Sequence, residues 1–326
     1  MVDTKGLGSQ MIRTLDIFCG GGGSSYGAQN AGAKIVCGID LCATATATYA
    51  EDFPHAVTIS SRLEDINPKT LRDHIGEIDL LLASPECTNH TCAKGAAPRS
   101  ESSRATAMQT LRYAREFRPR FVVMENVVNM RPWSRYGELK EALVDLGYNI
   151  SEFVLDASDF GVPQSRKRLF IVCDRESQVA AIKRPVLLKK RTVRSILDKP
   201  GQWNMTPLFT AKRAIPTLER AERGFAEIGR DASFLLVYYG TDGSGGWQTL
   251  DRPLRTITTV DRFALVEPGP EGHRMRMLQV TELKKAMGFK RDYLMNHGTR
   301  RANIKILGNG VCPPVMQAIV EQIRSA

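Results

Sequence analysis

The chain has 326 residues, 42% of them hydrophobic, and 45 Lys and Arg against 35 Asp and Glu give it a formal charge of +10. That length supports one large core with a smaller appended unit, and the basic balance favours a polyanionic partner over an acidic one. Seven irregularly spaced cysteines, no signal-type apolar stretch at the start and no run near the roughly 18 to 20 residues of a membrane span argue against a disulfide scaffold, secretion and a membrane partner. Free thiols in a cytoplasmic setting are expected.

In chain order, residues 12 to 18 read as a buried strand that runs into Cys19 and Gly20 to Gly23, with a helix from near Ser24. A second strand, 34 to 39, ends at Asp40, and a helix rich in Ala and Thr follows to about Tyr49. Strands near 78 to 83, 120 to 124, 149 to 155 and 168 to 173 alternate with helices near 102 to 117 and 134 to 146. Such alternation predicts an α/β fold with a doubly wound, mostly parallel sheet over residues 1 to 178.

From about 179 the regularity fails. Lys183, Arg184, Lys189, Lys190, Arg191 and Arg194 crowd one stretch, and the segments 234 to 239 and 240 to 247 suggest short strands and a glycine-rich exposed loop. Residues 179 to 275 are therefore expected to form a second, smaller domain, with Trp203, Trp247 and Tyr238 more at home in its core than in a stacking site. Helical patterning returns after 275, at Gln279 to Met287 and Pro314 to Ile323.

Gly21-x-Gly23 followed by Gly27 lets the backbone turn tightly and approach a ligand where a Cβ would clash. Asp40, about 17 residues on, can accept hydrogen bonds from both hydroxyls of an adenosine ribose, which suits a dinucleotide or S-adenosylmethionine. Asp65-Ile66, after a third strand, could meet the adenine edge. A glycine turn with no ligand is the bland alternative.

Cys87 and Glu125 each follow an apolar run of strand length, so a parallel sheet would bring a thiol and a carboxylate to the same edge, where open α/β sheets bind ligands. The thiol needs thiolate character, which Lys94, Arg99 and Arg104 could promote; inert packing is the plain alternative for a cysteine. A metal site at Cys87-x-x-His90-x-Cys92 has too short a final spacing and no second ligand pair, so no metal is expected. At a strand end Glu125 would have a raised pKa and could donate a proton. Gln164, Arg166 and Arg168 alternate into a strand, and that face should meet an anion or a carbonyl.

With these residues in hand, the chain resembles the DNA cytosine-5 methyltransferase family over nearly its whole length and in the family's order. Asp16-Ile-Phe-Cys followed by four glycines resembles its cofactor loop, Pro85-Glu-Cys87 its nucleophile motif, Glu125-Asn-Val its acid motif and Gln164-x-Arg166-x-Arg168 its basic motif. Arg252-Pro-Leu-Arg-Thr-Ile-Thr-Thr and Gly308-Asn-Gly-Val-Cys-Pro-Pro resemble its two C-terminal motifs.

The resemblance implies a Rossmann-like S-adenosylmethionine-dependent sheet, a target-recognition domain in residues 179 to 275, and a segment from 276 to 326 that folds back onto the first domain. It also implies a flipped cytosine, attack of Cys87 on C6, Glu125 on N3 and the exocyclic amine, Arg168 on O2, Arg166 fixing Cys87 and the base, and Asn126 and Gln164 as further substrate contacts. For S-adenosyl-L-methionine it implies Phe18, Gly20, Gly22, Gly23, Asp40, Leu41, Asp65, Ile66, Pro85, Asn309 and Val311. Double-stranded DNA, a cognate restriction endonuclease and a monomeric state follow as expectations about partners.

The sequence departs from the family at Glu86, where Pro is usual, at Thr88, where Gln is common, at Leu41, where an aromatic ring often meets the adenine, and at Asp40, which replaces a common Glu. Three other readings stay open: an RNA cytosine-5 methyltransferase of the family's tRNA-modifying branch, a catalytically degenerate DNA-binding relative, and, from the glycine loop alone, a nicotinamide-linked oxidoreductase.

Overall fold

The computed structural model describes residues 11–86, 105–239 and 245–325. Seven strands, β1 (Arg13–Ile17), β2 (Lys34–Asp40), β3 (Val57–Ser60), β4 (Leu80–Ala83), β5 (Phe121–Asn126), β6 (Asn149–Asp156) and β7 (Lys167–Asp174), form one sheet in the order β3-β2-β1-β4-β5-β7-β6. The strands from β3 to β5 pair in parallel, and β7 runs antiparallel to both of its neighbours. The chain winds outward from β1 through β2 to β3, then restarts on the other side of β1 at β4. That reversal opens a crevice beyond the carboxyl ends of β1 and β4, the place where open α/β sheets bind ligands.

The central strands are apolar on both faces because helices cover both. Leu80 and Leu82 enter one core while Leu81 and Ala83 enter the other, and Phe121 and Val123 oppose Val122 and Met124 in the same way. The helices are α1 (Gly23–Asn30), α2 (Ala43–Asp52), α3 (Pro68–Ile75), α4 (Gln109–Phe117) and α5 (Tyr136–Asp145). Leu71 and Ile75 of α3, Leu111 and Phe117 of α4 and Leu139 and Leu143 of α5 close the second core.

A second, antiparallel sheet is built from β8 (Thr206–Pro207), β9 (Phe234–Val237), β10 (Trp247–Thr249), β11 (Phe263–Glu267) and β12 (Arg274–Met277), in the order β10-β9-β11-β12-β8. Leu235, Val237, Phe263 and Leu265 on one face join the first core. Phe234, Leu236, Ala264 and Val266 on the other pack against Ala221 and Phe225 of a 14-residue helix, α6 (Ile215–Ile228). Sequence patterning suggested only short strands and loops here. The helix was nevertheless encoded: Thr217, Ala221, Gly224 and Phe225 are its buried positions, at helical spacing, with Pro216 in its first turn and Gly229 just beyond its end. Trp203 is half-buried and donates to Asp198 Oδ2 at 2.9 Å, and Tyr238 and Trp247 pack against the third core, as expected of core rings.

Three helices complete the chain: α7 (Val280–Ala286), α8 (Arg300–Asn309) and α9 (Pro313–Arg324). The second of these was also missed from sequence. In α9, Val315, Met316, Ile319, Val320 and Ile323 are buried and belong to the first core together with Tyr26 and Ala28 of α1. Among the described residues Cys19, Cys37, Cys42, Cys173 and Cys312 are free thiols, and no helix is long and apolar enough to cross a membrane.

Candidate active site

Strand β1 ends in backbone that its sequence could adopt only in part without strain. Phe18 has φ of +56°, one of two non-glycine residues at positive φ among those described, and such conformations concentrate at functional sites. Gly20 and Gly22 continue the turn at φ of +53° and +87°. Gly22 caps α1 with no side-chain acceptor, so the first N–H groups of that helix face the loop. A Cβ on Gly23 would run into the backbone of Val311, whereas one on Gly20 would meet nothing within 4 Å. The loop is thus closed from behind by the C-terminal segment and open above Gly20.

Asp40, at the end of β2, supports this loop directly. Its Oδ2 accepts from Gly20 N at 2.9 Å and its Oδ1 from Cys42 N at 2.8 Å. Burial raises its pKa, opposed by those backbone hydrogen bonds. Each carboxylate oxygen retains lone-pair capacity toward a ligand hydroxyl. Beside it Leu41 is 60% exposed, and Asp65, in a 3-10 turn after β3, is exposed with Ile66 partly packed on the second core.

On the other side of β1, the chain leaves β4 through Ser84 and Pro85. Ser84 N donates to Ile17 O at 3.3 Å, and Ser84 Oγ lies 3.4 Å from Ser24 Oγ, which links this exit to the start of α1. Pro85 is buried and its carbonyl accepts from Asn126 Nδ2 at 3.2 Å. Asn126 Oδ1 in turn accepts from Val127 N. The pair Ser24 and Ser84 was not singled out from sequence, although Ser84 immediately precedes the Pro85-Glu86 run. Glu86 is exposed. Cys87, together with Thr88, His90, Cys92, Lys94, Arg99 and Arg104, lies outside the described residues.

Glu125 is the fifth residue of β5 and is 5% exposed. It pairs in register with Phe170, whose face enters the first core, and Arg168 stands two residues along β7 on that same face. Antiparallel geometry makes such a diagonal pair neighbours, and Arg168 Nε lies 3.1 Å from Glu125 Oε1. Burial raises the carboxyl's pKa, while Arg168 and then Arg166 pull it back. The result is an acid that keeps its proton to higher pH than an exposed glutamate, beside a cation that steadies its anion.

Arg166 and Gln164 meet carbonyls, as the alternating pattern anticipated, but their partners belong to distant segments. Arg166 is 2% exposed and donates from Nη1 to Ile257 O at 2.9 Å and from Nη2 to Gly308 O and Gly310 O at 2.7 and 3.0 Å. Gln164 is fully buried in front of β7 rather than within it. It accepts from Ile257 N at 2.8 Å and donates to Ala286 O at 3.2 Å. These two side chains clamp the return from the second sheet and the C-terminal segment onto the large sheet. Asp156, unnoticed in sequence, anchors the clamp by accepting from Arg166 N and Ser165 Oγ at 3.0 and 2.8 Å. Asn309 is exposed at the end of α8, and Val311 is buried behind Gly23.

The structure therefore brings Glu125, Asn126, Arg168 and Pro85 together at the carboxyl edge of β4 and β5, one strand from the glycine loop. Gln164 stands apart from that group, enclosed among backbone partners. A buried acid and a guanidinium at a strand end can protonate and orient a polar heterocycle, and an uncapped helix start beside an open glycine can receive a cofactor.

The type II methyltransferase M.AgeI of Thalassovita gelatinovora is 29% identical over 64% of this chain, a match spanning 51% of that relative, so the chain covers about half of its length. M.HhaI of Haemophilus parahaemolyticus is 25% identical over 100% of this chain and 98% of its own. The Entamoeba histolytica methyltransferase EhMeth superposes with a TM-score of 0.66 over 96% of this chain and 98% of its own at 17% identity. A Spodoptera frugiperda DNMT2 variant does so with 0.69 over 96% and 99%, also at 17% identity. The sequence model of the C-5 cytosine-specific DNA methylases matches residues 12–325, and the chain belongs to that family.

Proposed function

We propose that this protein is a DNA (cytosine-5) methyltransferase that moves a methyl group from S-adenosylmethionine to C5 of a cytosine flipped out of duplex DNA. One observation carries the reading: Glu125, paired with Arg168, lies at the end of β5 next to Asn126, which holds the carbonyl of Pro85 two residues before Cys87. Acid, cation and the Pro85 carbonyl thus converge one strand from the glycine loop, which supports Cys87 as the nucleophile.

The cofactor loop fits the group it would hold. Open space above Gly20, the free N–H groups at the start of α1 and the carboxylate of Asp40 suit an adenosyl moiety and its ribose. Phe18, Leu41, Asp65 and Ile66 would line the adenosyl group, with Gly22, Gly23, Pro85, Asn309 and Val311 around it. When bound, S-adenosylmethionine supplies an electrophilic methyl group.

The chain's own residues then make C5 reactive. Cys87 adds to C6 of the flipped base, and Glu125, whose pKa burial raises, bonds N3 and offsets the charge that develops on the ring. Arg168 holds both Glu125 and the cytosine O2. Arg166 keeps the C-terminal segment seated behind the site. Loss of the C5 proton after methylation and expulsion of Cys87 regenerate the thiol and release 5-methylcytosine. Residues 179 to 275 would carry target recognition, reading base edges while cations hold phosphates. The relatives' names as type II methyltransferases support a restriction-linked role with a cognate endonuclease as partner, and a cytoplasmic monomer is part of the same proposal.

Mass spectrometry of nucleosides from mixed-sequence duplex DNA incubated with the protein and S-adenosylmethionine should reveal 5-methyldeoxycytidine. Product in an RNA substrate and none in DNA would reassign the reaction to RNA.

A further inference from the structure

Between Ile182 and Val193, both buried in the first core, the chain crosses the surface as a strap without regular secondary structure. Every residue from 183 to 191 is exposed. The sequence of this strap is Lys-Arg-Pro-Val-Leu-Leu-Lys-Lys-Arg, five cations around three aliphatic residues and no acid. Val186 and Leu188 are 96% and 104% exposed, an unusual display of large aliphatics for an isolated surface.

Two of the cations fix the strap in place. Lys190 Nζ donates to Ser158 Oγ at 2.9 Å and to Asp159 Oδ1 at 2.7 Å, and Arg184 reaches Asp159 Oδ2 at 3.4 Å. Leu187 lies over Gly161. Ser158 and Asp159 follow the end of β6, and Asp156 just before them holds the backbone of Arg166. The strap therefore sits on the same edge of the sheet as the candidate active site. Of the other three cations, Lys183 and Arg191 have no acid within ion-pair distance among the described residues, and Lys189 faces Asp251, whose pKa it helps Arg194 to lower, without a close ion pair.

We propose that Lys183 to Arg191 is a duplex-DNA contact separate from the second sheet, with Lys183, Lys189 and Arg191 on phosphates flanking the target and Val186 and Leu188 against the sugar wall of the adjoining groove. The inference rests on the DNA-methylation reading above. Charge complementarity selects the partner, since a polyanion answers three exposed cations outside close ion pairs, held around an apolar tip at the edge where the base would enter. Cation-flanked aliphatic side chains are also what groove-contacting proteins place between sugars and base edges. Such contacts position the duplex without reading sequence.

The test is the salt dependence of binding to a mixed-sequence fluorescent duplex. Each lost phosphate contact lowers the slope of log affinity against log salt by about 0.9, so the combined Lys183→Ala, Lys189→Ala and Arg191→Ala variant should show a slope shallower by about 2 to 3. Lys34→Ala, an exposed cation at the opposite edge of the sheet, should leave it unchanged. Val186→Ser with Leu188→Ser should weaken binding at unchanged slope, and in all variants the sequence contexts that acquire 5-methylcytosine should stay those of the wild type. An unaltered slope in the triple variant would overturn the proposal, as would strap-dependent binding to phosphatidylserine and phosphatidylcholine vesicles with DNA binding intact. If the wild type makes no 5-methylcytosine in DNA, the methylation reading fails instead, and the salt slope still decides whether the strap meets duplex.

Discussion

Two buried carboxyls near the crevice behave differently from surface acids, and each has a consequence that can be measured. Asp16, in β1, is fully buried; its Oδ2 accepts from Ser25 Oγ at 2.7 Å, and Ser25 lies 2.7 Å from Tyr49 Oη. Burial pushes its pKa from 3.8 up to about 7, against the Ser25 hydrogen bond and with a smaller push from Asp40. Its folded value lies above its unfolded one, so the native state holds the proton more tightly. The associated stability is present below about pH 4 and is lost as pH rises toward 7. Asp16→Asn, which stays neutral, should lose this dependence. In urea unfolding at pH 5 and pH 8, the stability lost by the wild type should exceed that lost by the variant by about 2 to 3 kcal/mol, whereas equal losses would contradict the assignment. Glu125 is the acid of the proposed reaction: Glu125→Gln replaces a carboxyl that can donate its proton with an amide that cannot titrate. It should lower kcat by about a hundred- to ten-thousand-fold with little change in DNA affinity. A variant within a factor of a few of wild type in single-turnover assays would remove Glu125 from the chemistry. At this scale the sequence was most legible for position in the sheet, as for Glu125 near the end of β5 and Arg168 near the start of β7. It was least legible for Gln164 and Arg166, whose types and burial were evident but whose partners are backbone groups at Ile257, Ala286 and Gly308, far along the chain.

Elements that hold the cofactor loop are joined by close backbone approach. Helix α9 lies across α1 at Gly27, where an added Cβ would fall inside contact with Pro313 O and 2.8 Å from Met316 Cβ. Gly27→Ala must therefore separate the two helices. Overpacking of this kind costs about 1 to 3 kcal/mol, and the same displacement should loosen Val311 behind Gly23. Differential scanning fluorimetry should register a lower melting temperature, and calorimetric titration a weaker affinity for S-adenosylmethionine. A variant with native stability and affinity would show that the crossing has no such role. The strands of the large sheet were readable because β4 and β5 are continuous apolar runs bounded by turn residues. Helices α6 and α8 were not, for a shared reason. Each buries a narrow stripe, Thr217, Ala221, Gly224 and Phe225 in one and Asn303, Ile304, Leu307 and Gly308 in the other. Small and polar residues at those positions weaken the apolar period by which helices are recognised. In α8 the glycine and asparagine near its end also read more readily as a loop motif than as the last turn of a helix.

Across the whole molecule, the two sheets share the first core and converge on the clamp formed by Gln164 and Arg166. The arrangement couples three requirements of one reaction. In the proposed reaction the glycine loop and α1 would receive a cofactor, the ends of β4 and β5 would present Pro85 and a buried acid, and the basic second half of the chain would meet a polyanion. Family membership was legible because motifs in a fixed order report on catalysis, and catalysis tolerates few residue types. The recognition sequence was not, because base reading depends on side chains presented by loops and short strands whose spacing follows no simple period. The most direct test of the account is covalent trapping. Mixed-sequence duplex DNA in which 5-fluorocytosine replaces cytosine would be incubated with the protein and S-adenosylmethionine, then digested and mapped by mass spectrometry. Since fluorine at C5 cannot leave as a proton does, the account predicts a stable protein–DNA adduct whose modified peptide carries the base on Cys87. No adduct, or an adduct on another cysteine, from a protein that still methylates unmodified DNA would contradict it.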